Sequence, residues 1–168
     1  NNLILTKAYL DLLNADPEDV RHVFPHLPEN AVADTLPVAA KGQPKYLIKY
    51  PGKSGRVTDA VSTVNPQDND LCILRLSEVY LNAAEAAFKI GNTEKALTYL
   101  NAIVTRANPA KSVTSADLSL ERILKERRKE LVGEGHAFFD YMRNGKSMDR
   151  SGGWHLTCLL FTSDAAAE

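Results

Sequence analysis

The chain has 168 residues, 44% hydrophobic and 24% charged, with a formal net charge of −1. That is enough for one domain with a real core, and it lacks the positive field that a polyanion demands, so nucleic acid is excluded as a partner. Neither Cys72 nor Cys158 belongs to a CxxC pair, which removes a zinc ligand set; a single disulfide between them is the weaker reading, and two separate thiols, with Cys72 as a small packed hydrophobe, the expected one.

Asn1-Asn2-Leu3-Ile4 shows no basic segment and no cleavage site, so the chain is expected to be a piece of a longer protein whose targeting segment lies upstream. No apolar run approaches the roughly 20 residues of a membrane-spanning helix. Residues 1–70 read as irregular. Pro17, Pro25, Pro28, Pro37, Pro44 and Pro51 fall here, and prolines at that density interrupt helices. A short helix is predicted near Thr6 to Leu13. A second is predicted to open at Asp16, with Pro17 at its first position. Tyr46-Leu47-Ile48-Lys49-Tyr50 reads as a short extended segment stopped by Pro51-Gly52.

The character changes at Asp70. Leu76, Val79, Tyr80, Ala83, Ala84, Ala87 and Phe88 form one apolar stripe at helical spacing. Gly91-Asn92 stops that helix and Thr93 is placed to cap the next. Ala96, Leu97, Leu100, Ile103 and Val104 repeat the period, and Asn108-Pro109 ends it. Two helices joined this closely form an antiparallel hairpin. A third helix is predicted from Ser115 to about Val132, broken by Gly133-Glu134-Gly135. A fourth, from His136 to Arg143, carries Phe138, Phe139 and Met142 and stops at Asn144-Gly145. Tyr80, Ala87, Gly91, Ala96 and Leu100 stand near the positions that a tetratricopeptide unit needs. A lone unit leaves one face bare, so exposed apolar surface is expected on the 71–107 hairpin or the 115–132 helix. The expected fold is mainly α: tetratricopeptide-like antiparallel helical hairpins over residues 71–150, an irregular loop-rich segment at 1–70, and a separate tail at 151–168.

Arg127, Glu130 and Glu134 share a helix face with Ile123. Charges on an apolar side need partners, and Arg75, Asp140 and Arg143 are the candidates for one ionic network. The competing reading is a carboxylate pair, Glu130 and Glu134, for glycoside hydrolysis. It is the weaker one, because acids one turn apart on one helix do not face each other across a cleft. His22 and His26 have Pro25 between them and no flanking Glu, so no metal or cofactor is expected. Pro51-Gly52-Lys53 and Ser54-Gly55-Arg56 lack the strand–loop–helix context of a phosphate loop and read as turns. For sugars, rings matter, because apolar sugar faces stack on them. Trp154, after Ser151-Gly152-Gly153, and Tyr46 and Tyr50 in the extended segment are the candidate ligand contacts. Core cover is the commoner use of such rings.

Several blocks in order resemble the SusD/RagB family. Arg75-Leu76-Ser77-Glu78-Val79-Tyr80-Leu81-Asn82-Ala83-Ala84-Glu85-Ala86 is similar to the start of its helical hairpin, and Leu100-Asn101-Ala102-Ile103-Val104-Thr105-Arg106-Ala107 to its second helix. Glu126-Arg127-Arg128-Lys129-Glu130-Leu131-Val132-Gly133-Glu134-Gly135-His136, then Phe139-Asp140-Tyr141-Met142-Arg143-Asn144-Gly145-Lys146, resembles its most recognisable block. Asp19-Val20-Arg21 and Lys49-Tyr50 sit where the family carries an aspartate–arginine pair and a KY segment. The resemblance implies a binding protein and not an enzyme. It implies a lipid anchor on the outer face of the outer membrane, capture of oligosaccharide or peptide, and delivery to a SusC-type TonB-dependent transporter. The chain departs from the pattern at both ends. The family's lipidated cysteine and first half have no counterpart here, and Leu156 to Glu168 read as off-family sequence, expected to pack poorly. The alternative function is a tetratricopeptide-like protein-interaction module without sugar binding.

Overall fold

The structure is a computed structural model that describes residues 5–26, 46–47, 49, 56–57, 62–63 and 72–146. Helix α1 (Lys7–Asn14) is capped by Thr6, whose hydroxyl accepts from the Tyr9 amide. Leu5, Tyr9 and Leu13, at i, i+4 and i+8, form its buried stripe. Tyr9 Oη donates to the carbonyl of Lys129 across the stripe at 3.3 Å. The helix expected at Pro17 does not form. Asp16 to Glu18 turn instead, and a 3-10 turn at Val20–Val23 follows, capped by Asp19. Strand β1 (Pro25–His26) pairs antiparallel with β2 (Tyr46–Leu47), and β3 (Arg56–Val57) with β4 (Ser62–Thr63).

Helices α2 (Leu76–Lys89) and α3 (Thr93–Ala107) form the antiparallel hairpin. Its turn is a Schellman motif: the Gly91 amide donates to the Phe88 carbonyl and the Asn92 amide to the Ala87 carbonyl. Gly91 takes φ +78°, which only glycine adopts cheaply. Asn92, not Thr93, caps α3, its side chain accepting from the Lys95 amide at 3.0 Å. Helix α4 (Leu120–Glu130) closes the core over the hairpin, and α5 (His136–Arg143) begins beyond Gly135, which stands at φ +79°. Leu81, Ala84, Leu100, Ile103, Val104, Val113, Ile123 and Leu131 form the main core. Asn101 pins the loop before α4 by bonding both the amide and the carbonyl of Val113.

Three further expectations need correction. Helix α4 opens at Leu120, five residues after Ser115, because Thr114 and Asp117 close a turn on each other and Ser119 supplies the cap. The core-facing arc of α2 is Ser77, Leu81, Ala84 and Ala87, whereas Leu76 is 70% and Val79 42% exposed. The stripe read from the sequence straddled two apolar arcs of one helix, and it left out Leu81. Cys72 is exposed, not packed. The predicted tail at 151–168 lies outside the described residues.

Candidate functional site

The centre of the molecule is ionic. Arg21, on the 3-10 turn, donates through Nε and Nη2 to Asp19 at 2.7 Å each, through Nη2 to Glu126 at 2.6 Å and through Nη1 to Glu130 at 3.3 Å. Asp19 also accepts from the Arg21 amide and from Lys129 Nζ at 3.2 Å. Glu130 is reached by Arg75 Nη1 at 2.8 Å and Arg106 Nη2 at 2.6 Å. Arg75, at the N-cap of α2, forks onto Glu134 through Nε at 3.0 and 3.1 Å. Lys49 donates to the Glu134 carboxylate and to the Glu130 carbonyl, and its ammonium lies 5.4 Å from the centre of the Phe24 ring. This one cluster therefore ties the 3-10 turn, residue 49, the start of α2, the end of α3 and the end of α4.

A second cluster joins α2, α4 and α5. Arg127 Nε meets Asp140 at 2.8 Å and Arg127 Nη1 meets Asn82 Oδ1 at 2.6 Å. Arg143 donates to Asp140 at 2.6 Å and to both oxygens of Glu85 at 2.8 and 2.5 Å. The six residues read from the sequence as one network thus fall in two places. Arg75, Glu130 and Glu134 come together in the first cluster, and Arg127, Asp140 and Arg143 in the second. Asp19, Arg21, Lys49, Glu126 and Glu85 were not named as network members. Two signals pointed to three of them: the Glu126/Glu130 spacing of one helical turn for Glu126, and the pair already matched to the family for Asp19 and Arg21.

Electrostatics decides what these acids do. Burial alone would raise the Glu130 carboxyl, but the hydrogen bond from Arg75 and the charges of Arg106, Arg75 and Arg21 outweigh it and hold it below the usual range. For Glu134, burial is outweighed in the same way by Arg75 and Lys49. For Asp19, burial is outweighed by Arg21 and Lys129, and its carboxyl falls to about 2. A glycosidase acid needs the opposite, a carboxyl raised toward neutrality. Glu130 and Glu134, held ionised by guanidinium groups, are unsuited to donate a proton. The chemistry of the cluster is that of a structural clamp.

Of the candidate ligand rings, Trp154 and Tyr50 lie outside the described residues, and Tyr46 is described by its backbone, which pairs with His26. A cavity of about 530 Å³ opens between the end of α1, the loop before α4 and α4 itself. Asp16, Lys111, Ser112, Asp117 and Lys125 line it beside Arg21. These groups offer donors and acceptors to a polyol, and no aromatic ring among the described residues lines it to give a stacking face. Among the described residues no group of three or more His, Cys, Asp or Glu is placed to hold a metal ion. His22 Nε2 is instead hydrogen-bonded to the Asp16 carbonyl at 3.0 Å.

Residues 38–157 match the sequence pattern of the SusD family. This chain belongs to the SusD family. Three solved structures are similar to it. A SusD superfamily protein from Bacteroides thetaiotaomicron is 49% identical over 94% of this chain, with a TM-score of 0.81. A SusD superfamily protein from Bacteroides vulgatus is 42% identical over 90% of this chain, with a TM-score of 0.72. A candidate sugar binding protein from the same species is 40% identical over 85%, with a TM-score of 0.67. The chain spans about a third of the length of each: 33%, 31% and 28%. No curated protein matches the chain. The helical SusD fold agrees with the architecture read from the sequence, and no helix among the described residues is long and apolar enough to cross a membrane.

Proposed function

We propose that this chain acts in cell-surface glycan capture, as part of a lipid-anchored outer-membrane protein that passes oligosaccharide to a SusC-type TonB-dependent transporter. The observation that carries the reading is its membership of the SusD family, with a candidate sugar binding protein 40% identical over 85% of the chain. The arrangement of charge supports binding rather than turnover, since the clamped carboxylates have no free proton to give. The polar cavity would bond hydroxyls, and Trp154, Tyr50 and Tyr46 remain the rings proposed to contact the sugar.

Native electrophoresis through gels containing starch, xyloglucan, pectin or inulin tests this. The proteins run would be the chain itself and a chimera in which it replaces the matched third of the Bacteroides thetaiotaomicron relative. The expected result is retardation of the chimera on at least one polysaccharide, lost on Trp154→Ala. No retardation on any of them, together with binding of a peptide library, would replace glycan by peptide as the cargo. Binding of neither would leave the protein-interaction module as the better reading.

A further inference from the structure

The sequence holds a single Asn-Gly step, Asn144-Gly145, and it closes helix α5. Asn144 is the C-cap, and Gly145 follows at φ +61°. The Gly145 amide donates to the Met142 carbonyl at 3.1 Å and the Lys146 amide to the Tyr141 carbonyl at 2.9 Å, which is another Schellman motif. The Asn144 side chain is also tied. Its Nδ2 donates to the Asp140 carbonyl at 2.8 Å and to Glu85 Oε1, on α2, at 3.2 Å. Both partners are acceptors only, which fixes the orientation of the carboxamide. Glu85 is buried. Burial works to raise its carboxyl, but the bonds from Lys89 and Asn144 and the charge of Arg143 outweigh that and keep it an ionised acceptor.

Asparagine before glycine is the step at which a peptide deamidates most readily, because glycine turns easily and leaves its own nitrogen unshielded. The Gly145 nitrogen loses its proton to solvent hydroxide and attacks Asn144 Cγ. A C–N bond forms and the Cγ–Nδ2 bond breaks. Nδ2 takes a proton from water and leaves as ammonia, and a cyclic imide remains. Water then opens the imide at either carbonyl, giving aspartate or isoaspartate. The fold opposes each of these movements. With Asn144 at ψ 10°, the Gly145 nitrogen is rotated away from the Cβ–Cγ bond that it must reach. Its proton is engaged by the Met142 carbonyl. The nitrogen that must leave is held by acceptors on two helices, Glu85 on α2 and Asp140 on α5. We infer that Asn144-Gly145 is a latent deamidation site, held shut by the α5 cap and by Glu85, and opened when α5 separates from α2. The conversion runs one way. An aspartate at position 144 has no proton to donate at neutral pH, and it sets its carboxylate against Glu85 and the Asp140 carbonyl. The site therefore records each loss of packing between α2 and α5 as a permanent change of charge. The inference does not depend on the glycan reading.

Peptide mapping by mass spectrometry, on the whole chain incubated at mildly alkaline pH, tests it. The readouts are the mass gain of the peptide that carries Asn144 and the appearance of isoaspartate. The folded chain should convert at least tenfold more slowly than the same chain unfolded in urea in the same buffer, because conversion then waits on local opening. Glu85→Ala should raise the folded rate several-fold and leave the rate in urea unchanged. Should Glu85→Ala not fold by far-UV circular dichroism, Glu85→Gln takes its place; it keeps an oxygen acceptor, loses the charge that pairs with Arg143, and should give a smaller rise of the same sign. Asn144→Asp should melt at a lower temperature than the parent chain. Equal rates in the folded and unfolded chain would overturn the inference. So would an unchanged rate in a folded Glu85 variant, which would leave the cap alone as the guard, and an Asn144→Asp chain as stable as the parent, which would make the change reversible in effect.

Discussion

Arg21→Met removes the guanidinium that Asp19, Glu126 and Glu130 share, while leaving the aliphatic volume largely filled. The side chain is 3% exposed, as are its partners to within a few per cent, so the pairs are buried and their loss is not repaid by water. Breaking a buried pair costs about 3–5 kcal/mol, chiefly by stranding the opposite charge. Here each carboxylate keeps another cation: Lys129 at 3.2 Å for Asp19, Arg122 at 2.7 Å for Glu126, and Arg75 and Arg106 for Glu130. The expected loss is therefore at the lower end, about 3 kcal/mol. Arg106→Ala is the matched control. Arg106 lies 2.6 Å from the same Glu130, but its side chain is 55% exposed, which limits the loss to about 1 kcal/mol or less. Urea unfolding of both variants, followed by far-UV circular dichroism at neutral pH, measures the difference. In a chain of this size about 3 kcal/mol corresponds to a fall in Tm of roughly 6–12 °C. If Arg21→Met costs under about 1 kcal/mol, or if Arg106→Ala costs as much as it does, burial is not what gives the cluster its strength.

Arg127→Ala should cost about 3 kcal/mol by the same assay, since Asp140 retains Arg143 but Asn82 loses its partner. Acid should unfold the protein through its depressed carboxyls. Asp19, Glu85, Glu130 and Glu134 all lie below their ordinary values when folded, so the stability they contribute is complete above the unfolded values near ~4 and is lost as pH falls through the folded ones. Urea midpoints should hold steady from neutral pH to mildly acidic, then decline, with the last of Asp19's contribution lost near its value of about 2. Ser119→Ala, which deletes the hydroxyl accepting from the Arg122 amide, should cost about 1 kcal/mol in thermal melts. Ser77→Ala should be neutral or stabilising by up to about 1 kcal/mol, because the Ser77 hydroxyl is buried without a partner among the described residues; a clear loss of stability would mean the hydroxyl is bonded.

How legible each element was depended on whether its signal was local. Helix α5 is bounded by Gly135 and Asn144-Gly145, both strong punctuation, and it runs as expected from His136 to Arg143. The α2–α3 turn carries Gly91-Asn92 and was equally plain. The start of α4 was not, because Ser115 and Ser119 are both good caps and the choice fell to a Thr114–Asp117 side-chain bond that periodicity does not encode. Which arc of α2 faces inward was hidden for a different reason. Both arcs are apolar, and only contacts with α3 and α4 select between them. The charges behaved likewise: that Arg127 and Glu130 must be paired followed from their place on an apolar face, whereas the sorting into two clusters depends on Arg21 and Glu85, far away in sequence.

That sorting bears on why the fold buries so much charge. Apolar replacement of a buried ion pair is often neutral or stabilising, so stability alone does not account for a centre built from Asp19, Arg21, Glu126, Lys129 and Glu130. The hairpin and α4 orient one another through apolar side chains. The segments before them have less to offer. Val20 and Val23 on the 3-10 turn are more than half exposed, and prolines at Pro17 and Pro25 keep the chain there from extending a helix. Apolar contact is non-directional and would let such a segment settle in several ways. The Arg21 fork is satisfied only when Asp19, Glu126 and Glu130 stand on its particular sides, and Lys49 only when the Glu130 carbonyl and the Glu134 carboxylate are both in reach. Directional bonds between charged residues as much as 110 positions apart therefore help to fix where the 3-10 turn and residue 49 lie against the helices, beside the apolar contact of Leu5, Tyr9, Leu13 and Leu47.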